Sequence, residues 1–76
     1  LKNTTFAGFY NYQQNDLPMT KMISNEENFK DVVSALQEHS YEHQKQFSNY
    51  HISEYVDMPN GSREKVKQFD LGSYRF

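Results

Sequence analysis

Aromatic rings outnumber branched aliphatic side chains in this chain, and that imbalance governs what it can fold into. Six Phe and six Tyr stand against four Leu, two Ile and four Val in 76 residues. Phe, Leu, Ile and Val together make up 16 of the 76, a share close to the compositional edge of disorder. The rings offset the shortfall, because each can bury about 150–250 Å². A chain this short holds one small core, so residues 1–76 read as a single small domain. There are no cysteines, which removes disulfide frameworks, thiolate nucleophiles and Cys-based zinc sites as explanations. No apolar run approaches the roughly 18 residues of a membrane span and no secretory leader opens the chain. The expectation is therefore a soluble, cytoplasmic protein without a membrane partner. Leu1 in the place of an initiating Met implies a trimmed, excised or tagged chain.

The net charge is −2, but it is unevenly placed. Residues 26–57 carry Lys30 and Lys45 against seven acids, whereas residues 58–76 carry Arg63, Lys65, Lys67 and Arg75 against Glu64 and Asp70. The middle is acidic and the tail basic. A general phosphate binder needs a concentrated basic surface, so nucleic acid ranks behind protein as a partner.

Local patterns predict an α+β fold. Thr4 to Tyr12 is rich in β-branched and aromatic residues and reads as a strand, with Phe6, Tyr10 and Tyr12 on one parity and Ala7 and Phe9 on the other. Gln13 to Asp16 form a polar break, and Leu17-Pro18 leads into a second strand around Met19 to Ile23. Ser24 and Glu27 stand at the capping-box spacing, which predicts a helix starting at Ser24. Phe29, Val32, Val33, Leu36, Ser40, His43 and Phe47 fall within about 100° of helical arc. The stripe carries the helix through about His39 and, in its weaker second half, to about Phe47. From Tyr50 the period becomes two, with Tyr50, Ile52 and Val56 sharing a face, and Pro59-Asn60-Gly61-Ser62 is a turn. The return strand, Arg63 to Leu71, changes parity between Val66 and Phe69, which implies a bulge near Lys67 or Gln68. Gly72-Ser73 breaks it before Tyr74 and Phe76. Two hairpins therefore form one antiparallel four-stranded sheet, in the order ββαββ, with a single long helix on one face.

Three constellations could carry chemistry. His39-Ser40-Tyr41-Glu42-His43 reads H-x-x-E-H and in this pentapeptide resembles the inverted zincin metallopeptidases, where two imidazoles one helical turn apart hold zinc and the Glu activates water. That likeness implies a zinc-dependent hydrolase, for which only Glu54, Asp57 and His51 could supply a third ligand. The strand T-T-F-A-G-F-Y-N-Y resembles the aromatic strand of RNA-recognition sheets, which implies single-stranded nucleic-acid binding by stacking, with Arg63, Lys65 and Lys67 on one face of a neighbouring strand. Acidic residues from Asp16 to Glu42 are interspersed with lysines, the pattern of a solvated helix face rather than of a nucleic-acid mimic. No Gly-rich phosphate loop or activated nucleophile is present in the pattern, so neither a catalytic residue nor a metal or other cofactor is assigned.

The preferred reading is a small non-enzymatic protein-interaction module. In profile it looks like the cysteine-free single-domain inhibitors and accessory proteins of phages and mobile elements, which act by occluding a larger partner. One helix covers one face of a four-stranded sheet, yet rings occur at both parities of the first strand. If the core takes Ala7 and Phe9, then Phe6, Tyr10 and Tyr12 face outward as a binding surface for a partner protein or a second copy, the preferred assignment; the reverse leaves Phe9 alone outside, beside residues of the other strands. In the preferred arrangement Tyr10 and Tyr12 are the anchors, and Lys65 and Lys67 are rim charges steering an acidic partner.

Overall fold

The structure is a computed structural model that describes residues 3–72. Strand β1 (Asn3–Gln14) turns into β2 (Leu17–Glu26), helix α1 (Phe29–Glu42) follows, and a short 3-10 turn (Phe47–Asn49) leads into β3 (Tyr50–Asp57) and β4 (Arg63–Asp70). The strands form one sheet in the order β2-β1-β3-β4, antiparallel throughout. The α+β expectation and its two hairpins are thus observed, with the 3-10 turn as an addition. Ser73, Tyr74 and Phe76 lie outside the described residues.

The first hairpin is longer than its alternating residues suggested, because the polar break shrinks to two residues. Asn15 and Asp16 take φ of 53° and 65°, the paired positive angles of a type I′ turn, whose twist matches that of the flanking strands. Gln13 and Gln14 therefore stay in the ladder, opposite Pro18 and Leu17. Around the second turn, Met58 N–H donates to the Ser62 carbonyl at 2.8 Å and Gly61, at φ 89°, closes onto Met58.

Helix α1 starts later than the Ser24/Glu27 spacing predicts. Ser24 remains in β2 opposite Gly8, so strand pairing claims its backbone before a helix can. The cap is Asn28, whose Oδ1 accepts the Lys30 N–H at 3.0 Å. Replacing Asn28 with alanine should therefore cost about 0.5–2 kcal/mol, read as a lower urea midpoint, while Ser24→Ala leaves the helix end intact. A larger loss in Ser24→Ala than in Asn28→Ala would return the cap to Ser24. The helix also stops earlier than the stripe allowed, at Glu42. Gln44 takes φ 54°, Lys45 N–H donates to the Ser40 carbonyl at 2.9 Å, and Gln44 N–H donates to that of Tyr41 at 3.4 Å. This reversal is a Schellman closure with Gln where glycine is usual, and it turns the chain toward Phe47 and β3.

The apolar stripe of the helix packs as its periodicity predicts. Val32, Val33 and Leu36 meet Tyr50, Ile52 and Leu71 in the buried core, with Phe6, Tyr10, Ile23, Phe29, Phe47 and Phe69 packed around it. Edge-to-face ring contacts at Phe6–Phe29 (5.4 Å) and Phe29–Phe69 (5.0 Å) extend this core beyond the reach of the aliphatics. The two layers approach most closely at Gly8, where a Cβ would stand 2.7 Å from Val32 Cγ1 and 2.9 Å from Leu36 Cδ2.

Gly8 fixes which side of β1 faces the helix, and it is the side opposite to the one predicted. Phe6 and Tyr10 share Gly8's parity and pack against the core, so they do not form an outward patch. Tyr12 follows them on the same side. The outer side has Ala7, buried, and Phe9, stacked at 5.0 Å on His51. Lys65 and Lys67 are separated for a related reason. The register jumps from Glu54↔Lys67 to Tyr55↔Lys65, leaving Val66 as the extra residue of a bulge one position before the expected site. A bulge reverses the alternation, so Lys65 lies on Tyr55's outer side and Lys67 on the helix side. Lys65 Nζ there donates to Gln68 Oε1, and Lys67 Nζ sits 4.8 Å from the Phe69 ring centroid. The two lysines do not make one rim.

Candidate functional site

Because α1 ends at Glu42 while the first hairpin runs on to Asn15 and Asp16, the described residues leave the helix-side face of the sheet uncovered at one end. There an open cleft of about 1000 Å³ is lined by Tyr10, Tyr12, Met19 and Lys21 from the hairpin, His39 from the helix, His43 from its C-terminal cap, and Lys45 from the turn that follows. Its floor is aromatic: Tyr10 and Tyr12 stack with centroids 5.6 Å apart and planes 14° from parallel, and Tyr10 continues onto Tyr50 at 5.1 Å. Its walls are basic. Lys21 pairs with Tyr10 across the ladder, Lys45 Nζ lies 5.8 Å from the Tyr10 centroid, and no carboxylate is among the described residues that line the cleft.

His39 and Tyr50 organise the inner wall. Tyr50 is fully buried, and its hydroxyl lies 2.6 Å from His39 Nδ1. Burial, with Tyr10 beside it, raises the Tyr50 phenol above its ordinary value, so the hydroxyl keeps its proton at neutral pH. Burial also lowers the His39 pKa, reinforced by His43, Lys21 and Lys45 and opposed by Glu42.

A group whose folded-state pKa is depressed supports the fold fully above its unfolded value, near 6.5 for histidine, and loses that support as the pH falls through the folded value. Urea midpoints should therefore fall as the pH is lowered from neutrality into the range below 6.5, and His39→Gln should flatten this decline. Part of it should persist, because burial and Lys65 also depress His51. An equally steep decline in His39→Gln would place the acid sensitivity elsewhere.

The H-x-x-E-H pentapeptide brings two imidazoles together and stops there. The His39 and His43 rings lie 4.2 Å apart, but His39 Nδ1 is engaged by Tyr50. The proposed third ligands are placed elsewhere: His51 stacks on Phe9 on the outer face, Asp57 binds Arg63 at 2.9 Å, and Glu54 pairs with Phe6 and Lys67 in the ladders. Among the described residues no three His, Asp or Glu side chains gather as a metal site would require. The stacking face expected for nucleic acid is also altered, since the rings of β1 divide between the helix side, where Phe6 and Tyr10 pack on the core and Tyr12 stacks on Tyr10, and the outer side, where Phe9 pairs with His51.

Of the sequence-derived site residues, the cleft gathers Tyr10 and Tyr12, while Phe6 lies in the aromatic core and Lys65 and Lys67 lie apart. Sequence reasoning missed Lys21 and Lys45. Each is isolated in the chain, and only the Tyr10↔Lys21 register and the turn after α1 bring them to the same rings. The cleft opens onto the free edge of β2, where Leu17, Met19 and Met22 are 63%, 38% and 54% exposed. The opposite edge, β4, is interrupted by its bulge and bears Arg63, Glu64, Lys65, Lys67 and Asp70, the features that blunt an edge against pairing. No helix among the described residues is long and apolar enough to cross a membrane. Comparison of the chain with protein-family models, with curated proteins and with solved structures yields no match.

Proposed function

We propose that this chain is a non-catalytic protein-interaction module whose docking surface is the cleft at the uncovered end of the helix-side face. The observation that carries this reading is the meeting of the Tyr10–Tyr12 stack with Lys21 and Lys45 in a basin with no carboxylate among its described lining residues. Tyrosine suits such a surface because its ring buries area while its hydroxyl tolerates water. The matching partner is an acidic polypeptide segment with apolar side chains, steered by the two lysines and held by the rings. Such a module acts by occlusion, as an inhibitor or accessory protein does. Tyr10 and Tyr12 keep the anchoring role expected of them, while Lys21 and Lys45 take the rim role given to Lys65 and Lys67.

The test uses a fluorescent peptide of alternating Glu and Val, a matched Lys and Val peptide, and oligothymidine, with amide chemical shifts locating any contact. The acidic peptide should bind and shift residues of the cleft. Tyr12→Ala and the double variant Lys21→Glu with Lys45→Glu should each weaken it by about tenfold or more, a loss of roughly 1.4 kcal/mol. Equal binding of the basic peptide, or salt-dependent binding of oligothymidine in preference to both, would defeat the proposal.

A further inference from the structure

The free edge of β2 has a sequence that complements itself. We infer that two copies of the chain associate through it, β2 against β2 in antiparallel register about Thr20, an association that does not depend on what the cleft binds. The ladder geometry sets the register. A two-residue turn closes on a hydrogen-bonded pair, here Gln14 and Leu17, and antiparallel pairs alternate between bonded and non-bonded. Met19 and Lys21 then turn their backbone groups toward β1, while Pro18, Thr20 and Met22 turn theirs outward. Leu71 N–H bonding to the Tyr50 carbonyl at 3.1 Å agrees with this phase across the sheet, since Tyr10, facing β2, leaves Tyr50 free to face β4.

A second strand must bring its own outward-facing residues opposite these. With Thr20 opposite Thr20 of the second copy, the two exchange both backbone groups, and each Met22 N–H donates to the other chain's Pro18 carbonyl. The missing N–H of Pro18 is tolerated on an edge. Centring on Met22 would run the partner across the bulge at Ile23, where the register of β2 shifts. Centring on Lys21 would set like charges face to face, whereas the Thr20 register sets each Lys21 beside a Met19. Lys21 is the sole charged residue from Leu17 to Asn25, so this register opposes no like charges. Pro18 lies beside Met22, which shelters a side chain now 54% exposed. The two-fold axis runs perpendicular to the sheet, so both clefts open on the same side and each receives a lysine from the second copy at its rim.

Sedimentation equilibrium of the full chain should show a reversible dimer. Thr20→Lys should weaken it by about tenfold or more, because residue 20 faces itself across the axis while its side chain points away from the core. The chain has no cysteine, so Thr20→Cys gives a single reactive thiol, and a bonded antiparallel pair holds Cα atoms about 5.5 Å apart, within disulfide range. Oxidation should cross-link Thr20→Cys much faster than Gln68→Cys on β4. A monomer at every concentration, a dimer indifferent to Thr20→Lys, or equal cross-linking at the two positions would each overturn the inference. Amide spectra of each variant confirm that the fold is retained, and an unfolded Thr20→Lys leaves the cross-linking comparison to decide.

Discussion

Leu36→Ala should consume a large part of the stability of this fold. Leu36 is fully buried at the centre of α1 and packs directly over Gly8. Truncating a buried leucine costs about 2–5 kcal/mol, the transfer free energy of the lost atoms plus the cavity they leave. Domains are stable by roughly 0.05–0.15 kcal/mol per residue, which for a chain of this length is about 4–11 kcal/mol. The collapse that could relieve the cavity is limited, because β1 lies against the helix at a glycine and has no side chain to move in. Urea denaturation followed by circular dichroism measures the loss directly. A change below about 1 kcal/mol would mean that α1 is not seated on the sheet at this point.

Gly8→Val should be comparably damaging, and the milder Gly8→Ala already has a diagnostic sign. A glycine in an ordinary extended strand is normally improved by alanine, by about 0.4–1 kcal/mol, because the unfolded chain loses freedom. At Gly8 the new Cβ would meet Val32 Cγ1 at 2.7 Å and Leu36 Cδ2 at 2.9 Å, closer than packed carbons tolerate. Overpacking of this kind costs about 1–3 kcal/mol, which exceeds the entropic gain. Valine adds two methyls to the same crowded space. Gly8→Ala combined with Leu36→Ala should then be less destabilising than the sum of the two, since the cavity receives the methyl. A stabilised Gly8→Ala, or strict additivity, would show that the two layers stand further apart.

That same glycine explains why the fold was legible in the sequence while the faces were not. Strand and helix periods are local properties, so β1, the core stripe of α1 and the second hairpin could be read from neighbouring residues. The assignment of a face depends on what crosses the sheet. Rings stand at both parities of β1, and the deciding feature is the missing side chain at Gly8, which shares parity with Phe6 and Tyr10. Ser24 failed for a related reason: its spacing to Glu27 satisfies the capping pattern, but the ladder to Gly8 extends β2 past it. Bulges at Ile23 and Val66 each interrupt the alternation of their strand, and the one at Val66 scatters Lys65 and Lys67. The cleft was the least legible part. Tyr10, Lys21, His39 and Lys45 are far apart in the chain, and only the hairpin register and the early end of α1 bring them together.

The strand order β2-β1-β3-β4 also sets how the chain must fold in time. Each hairpin pairs neighbours in sequence and can form on the scale of about 1–10 μs. The spine of the sheet, β1 against β3, instead joins residues as distant as Asn3 and Asp57, and the helix and the turn of the first hairpin lie within the loop that this pairing closes. Closing that loop costs entropy before the rings of the two halves can bury one another. Docking of one hairpin onto the other, with Phe6 and Tyr10 meeting Phe29 and Tyr50, should therefore be the rate-limiting event. Substitutions in those rings should slow folding itself, whereas changes at the Asn28 cap should chiefly hasten unfolding if the helix end is completed after docking.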